Sequence, residues 1–163
     1  MSVYLPGDHV VGQFQCDSGV LVACDPCYRS AENLMARFDN AKVGPWQASI
    51  KVVDFGPGLG KRVESLIVAH VAHGAADGPW LDSARAVAVD TGRMAVCDGR
   101  CDLDGDSSLP RMAVVWARGV MVAPGFGDDI YPCRFREADG EVVVIEVLFI
   151  DLDVLAIAGG SAQ

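Results

Sequence analysis

Asp17-Ser18-Gly19-Val20-Leu21-Val22-Ala23-Cys24-Asp25 returns later in the chain as Asp90-Thr91-Gly92-Arg93-Met94-Ala95-Val96-Cys97-Asp98. Each copy follows an apolar stretch, opens on an acidic turn, runs through a second apolar segment and closes on another acid. The order is strand, turn, strand, turn. Gly supplies the positive φ, and Asp with Ser or Thr bonds back to the local backbone. Two readings are open at this point. The phrase is a hairpin used twice, or it brings two carboxylates and several thiols together in space.

Outward from these phrases the pattern stays β-like. Val10 to Cys16 and Val20 to Cys24 read as a hairpin around the first turn, Ala84 to Val89 and Arg93 to Cys97 as one around the second. Gln47 to Asp54 and Val63 to His73 read as strands joined by the loop Phe55-Gly56-Pro57-Gly58-Leu59-Gly60-Lys61. The second of these is apolar on both faces around Leu66 to Val68 and belongs in the middle of a sheet. Met112 to Ala117 and Val120 to Ala123 are strands broken near Gly119. Asp139-Gly140, between Tyr131 to Arg136 and Val142 to Ile150, is the strongest hairpin signal. One helix is expected from Ser30 to Phe38, with Ser30 as N-cap, Glu32 in the first turn and Leu34, Met35 and Phe38 as the apolar stripe. A second short helix is expected in Asp151 to Gln163, ending at Gly159-Gly160. About ten short strands with frequent turns predict a mainly β single domain spanning residues 1–163. Its form is a β-sandwich or a curled, barrel-like antiparallel sheet with one or two short helices.

The chain has 163 residues, 51% of them hydrophobic and 21% charged, enough for a core without staples. Its formal charge is −9, from 22 acidic and 13 basic residues. Nucleic-acid binding needs a basic footprint and is excluded on this ground; an acidic surface instead suits a basic protein partner. Met1 to His9 shows no secretory signal, and no apolar run reaches the length of a membrane helix. These features predict a cytoplasmic protein whose six cysteines are reduced.

From Gly19 to Asp151 the order of features resembles an uncharacterised bacterial family, domain of unknown function 4241. The shared phrases are Ser18-Gly19 with Cys24-Asp25-Pro26, a strand after Arg62-Val63, and a segment at Trp80. They continue with Val89-Asp90-Thr91-Gly92 and Asp98, Gly127-Asp128-Asp129-Ile130-Tyr131-Pro132, and Asp139-Gly140 leading to Phe149. The chain departs from the pattern at Asp129, where Gly is expected, and in its cysteines. The resemblance implies a compact intracellular domain of unassigned activity, with a link to toxin–immunity systems.

Several sets of residues carry chemistry in principle. The Asp17 and Asp90 turns resemble the paired signature of aspartic proteases, whose two carboxylates share a proton and activate a water. Val20 and Arg93 stand where such enzymes place a bracing Ser or Thr, and Asx-type turns explain the residues more simply. Cys24, Cys27, Cys97 and Cys101 form a four-thiolate zinc set if the two turns face each other, with buried free thiols as the plainer reading. Cys16 and Cys133 read as core. Asp102-Leu103-Asp104-Gly105-Asp106 opens like a calcium loop but lacks its later glycine and glutamate. The loop around Gly56 lacks the phosphate-loop spacing. His70 and His73, three residues apart on a strand, point to opposite faces. Trp46 and Trp80 follow prolines at turns and are candidates for a surface role. With Asp102, Asp104, Asp106, Asp128 and Asp129 they make up the expected partner-binding set. The reading as a whole is a non-enzymatic binding module, immunity-type in its specific form, that meets a basic partner through an acidic surface. The alternative is a hydrolase using Asp17 and Asp90, or a zinc held by the cysteines.

Overall fold

The computed structural model describes residues 4–28, 31–74, 76–99 and 112–160. The chain is mainly β, and its described residues form three antiparallel sheets with no closed barrel among them. The first half contributes β1 (Gly7–Cys16), β2 (Leu21–Cys24), β3 (Ala36–Phe38), β4 (Gly44–Asp54) and β5 (Lys61–His70). The second contributes β6 (Leu81–Asp82), β7 (Val87–Val89), β8 (Met94–Asp98), β9 (Ala113–Trp116) and β10 (Gly119–Val122). After these come β11 (Asp129–Tyr131), β12 (Cys133–Ala138), β13 (Glu141–Leu148) and α1 (Leu152–Gly160). Asp151 caps α1, its Oδ1 accepting from the amides of Asp153 at 3.0 Å and Val154 at 3.2 Å. Among the described residues no helix is long and apolar enough to cross a membrane.

The larger sheet runs β1-β4-β5-β13-β12-β6, and the second runs β3-β2-β8-β10-β9, with β7 and β11 forming a short third pair. One core lies between the two large sheets. Phe14, Trp46, Ile50, Leu66 and Val68 from the first meet Leu21, Phe38, Met94, Val96 and Val122 from the second. β5 sits centrally, as its two-sided apolarity predicts. Asp139-Gly140 makes the expected tight hairpin, with φ of 53° and 78° at its two turn residues.

The two halves follow one plan. In the middle of the second sheet β2 pairs antiparallel with β8, Ala23 facing Val96, so the repeated phrases are related by a local twofold at that pair. The relation extends through both sheets. Phe14 faces Trp46 as Val87 faces Tyr131, and Leu21 faces Phe38 as Met94 faces Val122. The bulge between Lys51 and Val52 in β4 has its match between Arg136 and Glu137 in β12. Even the aromatic tethers agree: the Trp46 indole donates to the Lys42 carbonyl, and the Tyr131 hydroxyl to the Gly127 carbonyl. Thus β1 to β5 correspond to β6 with β7, β8, β10, β11 with β12, and β13. β9 stands outside the correspondence.

Three expectations are overturned. Neither acidic turn closes a hairpin: β1 pairs with β4, and β2 with β3 and β8, so the first turn carries the chain from one sheet to the other. The segment expected as a helix is a short 3-10 turn, Glu32–Leu34, followed by β3. Its apolar spacing fits a helix stripe, but pairing with β2 buries Ala36 and Phe38 in the core, and that tertiary gain overrides local propensity. Finally, the strand through His73 stops at His70, and a 3-10 turn folds the His73 ring to within 5.7 Å of the His70 ring. Both His70 nitrogens are engaged, by the Val43 carbonyl and the Ala72 amide.

Gly119 marks the tightest crossing. A Cβ there would stand 2.6 Å from the Val96 carbonyl oxygen and 2.8 Å from both Cys97 Cβ and the Trp116 ring. Gly119→Ala is therefore expected to destabilise the fold by about 1–3 kcal/mol, read by urea unfolding. A change within error would mean that β8, β9 and β10 are less closely packed than described.

Candidate functional site

The repeat's first acids do not meet. Three residue steps of strand, about 10 Å, separate the two ends of the β2–β8 pair, and one acidic turn lies beyond each end. Asp17 and Asp90 therefore cannot share a proton, and the aspartic-protease-like arrangement is not formed. The closing acids take the structural role instead, reciprocally. Asp98, at the end of the second phrase, accepts from the amides of Asp17 and Ser18, each at 3.1 Å, and from the Ser18 hydroxyl. Asp25, at the end of the first, accepts from the amides of Asp90 and Thr91, each at 2.9 Å, and from the Thr91 hydroxyl at 2.7 Å. Each copy's last residue thus holds the other copy's turn.

Both carboxylates are buried. Arg118 also pairs with Asp98, and the Cys27 amide with Asp25 at 2.9 Å. Burial alone would raise the Asp98 pKa. The bonds from Ser18, from the Asp17 and Ser18 amides and from Arg118 outweigh it, and the value falls below the ordinary 3.8. Beside it the Cys16 thiol is pushed up to about 11, first by burial and further by Asp98, so it stays protonated and donates to that carboxylate. Burial likewise takes Cys133 to about 12, as suits a core thiol.

The cysteine expectations divide. Cys16 and Cys133 are buried and free, and Cys27 is free and exposed. Cys24 and Cys97 lie at twofold-equivalent positions on one face of the β2–β8 pair, and both are disulfide-bonded. The expectation of fully reduced cysteines is corrected, and these two sulfurs are not thiolate ligands in this state. Cys101 lies outside the described residues, as do Asp102, Asp104, Asp106 and Ser30. Among the described residues no three His, Cys, Asp or Glu side chains converge to hold a metal.

Of the expected partner-binding set, Trp46 is fully buried between the sheets and is no surface anchor. Its indole faces inward because β4 alternates, and Phe14 opposite it is buried as well. Trp80 is half-buried, with the Arg134 and Arg136 guanidinium carbons each 4.2 Å from its ring centre. Asp128 and Asp129 do come together, on a shallow groove of about 450 Å³. Asp90 and Tyr28 share it, joined by a 2.7 Å bond from the phenol to the carboxylate, and Ile130 stands 67% exposed in its wall. Asp128 also accepts from the Gly92 amide at 2.8 Å. Nearby, burial together with Asp129 and Asp128 lifts the Tyr131 phenol to about 12. Sequence reading missed Tyr28 and Ile130 in this groove; the only signal was an exposed-looking Ile inside an acidic turn region. It also missed Asp25 and Asp98 as turn holders, although both phrases end in Cys-Asp.

Comparison with family models, curated proteins and solved structures finds no match to this chain.

Two outcomes follow from this geometry. A carboxylate with a depressed folded pKa contributes stability above its unfolded value of about 3.9, lost as pH falls through the folded value. Asp98→Asn should cost roughly 1–3 kcal/mol at pH 7 in urea unfolding. Its gap to the wild type should narrow as pH drops from about 4 to 2. A constant gap across that range would argue against a charged Asp98. Separately, non-reducing peptide mapping should join a Cys24 peptide to a Cys97 peptide; a bond from either to Cys101 would rule that pairing out.

Proposed function

We propose that this protein is a non-enzymatic binding module whose groove at Asp90, Asp128, Asp129 and Ile130 receives a basic protein partner. The observation that carries this reading is the exposed Ile130 set among three carboxylates. An apolar anchor ringed by like charge is how an interface combines desolvation with partner selection. The overall charge of −9 favours the same class of partner through long-range steering. The specific form we propose is immunity-type masking of a basic toxin surface, in line with the family 4241 resemblance. A cytoplasmic location belongs to the same proposal. The bonded state of Cys24 and Cys97 is then an oxidation event, since that compartment keeps thiols reduced.

A photo-crosslinking residue at Ile130 tests the site. The expected product is a crosslink to a protein with a basic surface, weakened by salt and abolished by Asp128→Lys with Asp129→Lys. Crosslinking that survives both the charge reversal and high salt would remove the acidic groove as the docking site.

A further inference from the structure

Among the described residues β9 has no strand counterpart in the first half; the 3-10 turn Glu32–Leu34 lies on that side, its Glu32 carbonyl accepting from Arg85 at 2.9 Å, and no strand fills the place beside β3. Beside β10, the gap between the two large sheets is closed by β9. Val115 packs 3.4 Å from where a Cβ on Gly12 of β1 would stand, and the Gln15 amide donates to the Ala117 carbonyl at 2.9 Å. β3 is the twofold equivalent of β10 and forms the edge of its sheet. Beside it lies a cleft of about 650 Å³, bounded across the gap by Asp82 and Arg85 and floored by Phe38 and Phe135.

The ladder pattern fixes which backbone groups of β3 face this cleft. The Gly99 amide bonds to the Val20 carbonyl, so by alternation Val22 faces β8 while Leu21 and Ala23 face β3. Their partners Phe38 and Ala36 therefore point inward, and Arg37 between them turns its N–H and C=O outward. Arg37 corresponds to Met121 of β10, which faces Val114 of β9. The alternation is the same there, because the Asp98 amide bonds to the Arg118 carbonyl and the Ala123 amide to the Met112 carbonyl.

We propose that the β3 edge is a strand-addition site, taking an extended segment of a partner protein antiparallel to β3 as β9 lies against β10. The occupant is defined by the template and the walls. In β9, Ala113 and Val115 pack on the core while Val114 between them is exposed, so alternate apolar residues fill the equivalent layer. Glu32, Asp39, Asp82 and Glu137 outnumber Arg37 and Arg85 around the cleft, so the segment carries basic flanks. This surface is separate from the Asp128 groove, and neither proposal depends on the other.

The test uses a fluorescein-labelled peptide, Arg-Met-Ala-Val-Val-Trp-Ala-Arg, which copies residues 111–118 and has the required alternation and charge. Titrated against the intact protein, it should bind saturably and slow the hydrogen exchange of the Arg37 amide. Arg37→Pro removes an outward donor without touching the β2 ladder, a change edge strands tolerate. It should weaken binding by about tenfold or more. Absence of saturable binding, undiminished binding to a folded Arg37→Pro variant, or protection appearing along β10 in place of β3 would overturn the proposal. If the proline variant fails to fold, the exchange pattern of the wild type decides alone.

Discussion

Two buried carboxylates, Asp25 and Asp98, hold the molecule together at its centre. Each accepts backbone amides and a hydroxyl from the turn that opens the other copy of the repeated phrase. An unpaired charge in that position would be costly, so the acids require the turns as much as the turns require the acids. The turns in turn decide where the chain passes from one sheet to the other. With both ends of the β2–β8 pair fixed in this way, the register at Ala23 and Val96 is set, and both sheets can grow outward from the same local twofold.

On that nearly symmetric frame, the departures from symmetry fall at the two surfaces proposed above as binding sites. Asp128 stands beside Gly92 where Val43 stands beside Gly19. One end of the central pair therefore gains a carboxylate and, with Ile130, an exposed apolar wall. β9 covers the edge of β10, while among the described residues no strand covers the edge of β3, which lies over a cleft. Both sites owe their chemistry to residues that only one half possesses. The shared residues, by contrast, are spent on architecture: Trp46 and Tyr131 on carbonyl tethers, Phe14 and Val87 on the core.

Much of the fold was legible in the sequence because it depends on local alternation. The central position of β5, the Asp139-Gly140 hairpin, the β4–β5 pair and the terminal helix all follow from apolar period and turn residues. What was not legible depends on partners distant in the chain. Leu34, Met35 and Phe38 read as a helix stripe, and only pairing with the distant β2 makes Ala36 to Phe38 a strand. The repeated phrase was visible, but a sequence cannot say whether a turn closes on its own strand or is held by an acid from the other copy. Trp46 illustrates the same limit: a Trp after a proline looks exposed until the pairing with β1 turns it inward. At the candidate site Asp128 and Asp129 were legible as charge, whereas Tyr28 joins them through a bond to Asp90 that spans much of the first half.

Neither half can complete a sheet alone. β5 finds its second neighbour only in β13, near the end of the chain, and β2 finds its inner neighbour only in β8. The fold is accordingly dominated by contacts of high contact order, which close slowly because loop entropy must be met before pairing repays it. During synthesis the first half emerges with two apolar strand edges and a buried acid still lacking their partners. The ribosome therefore releases the stable unit only after β13 has been made, and until then those edges are open to any other strand in reach.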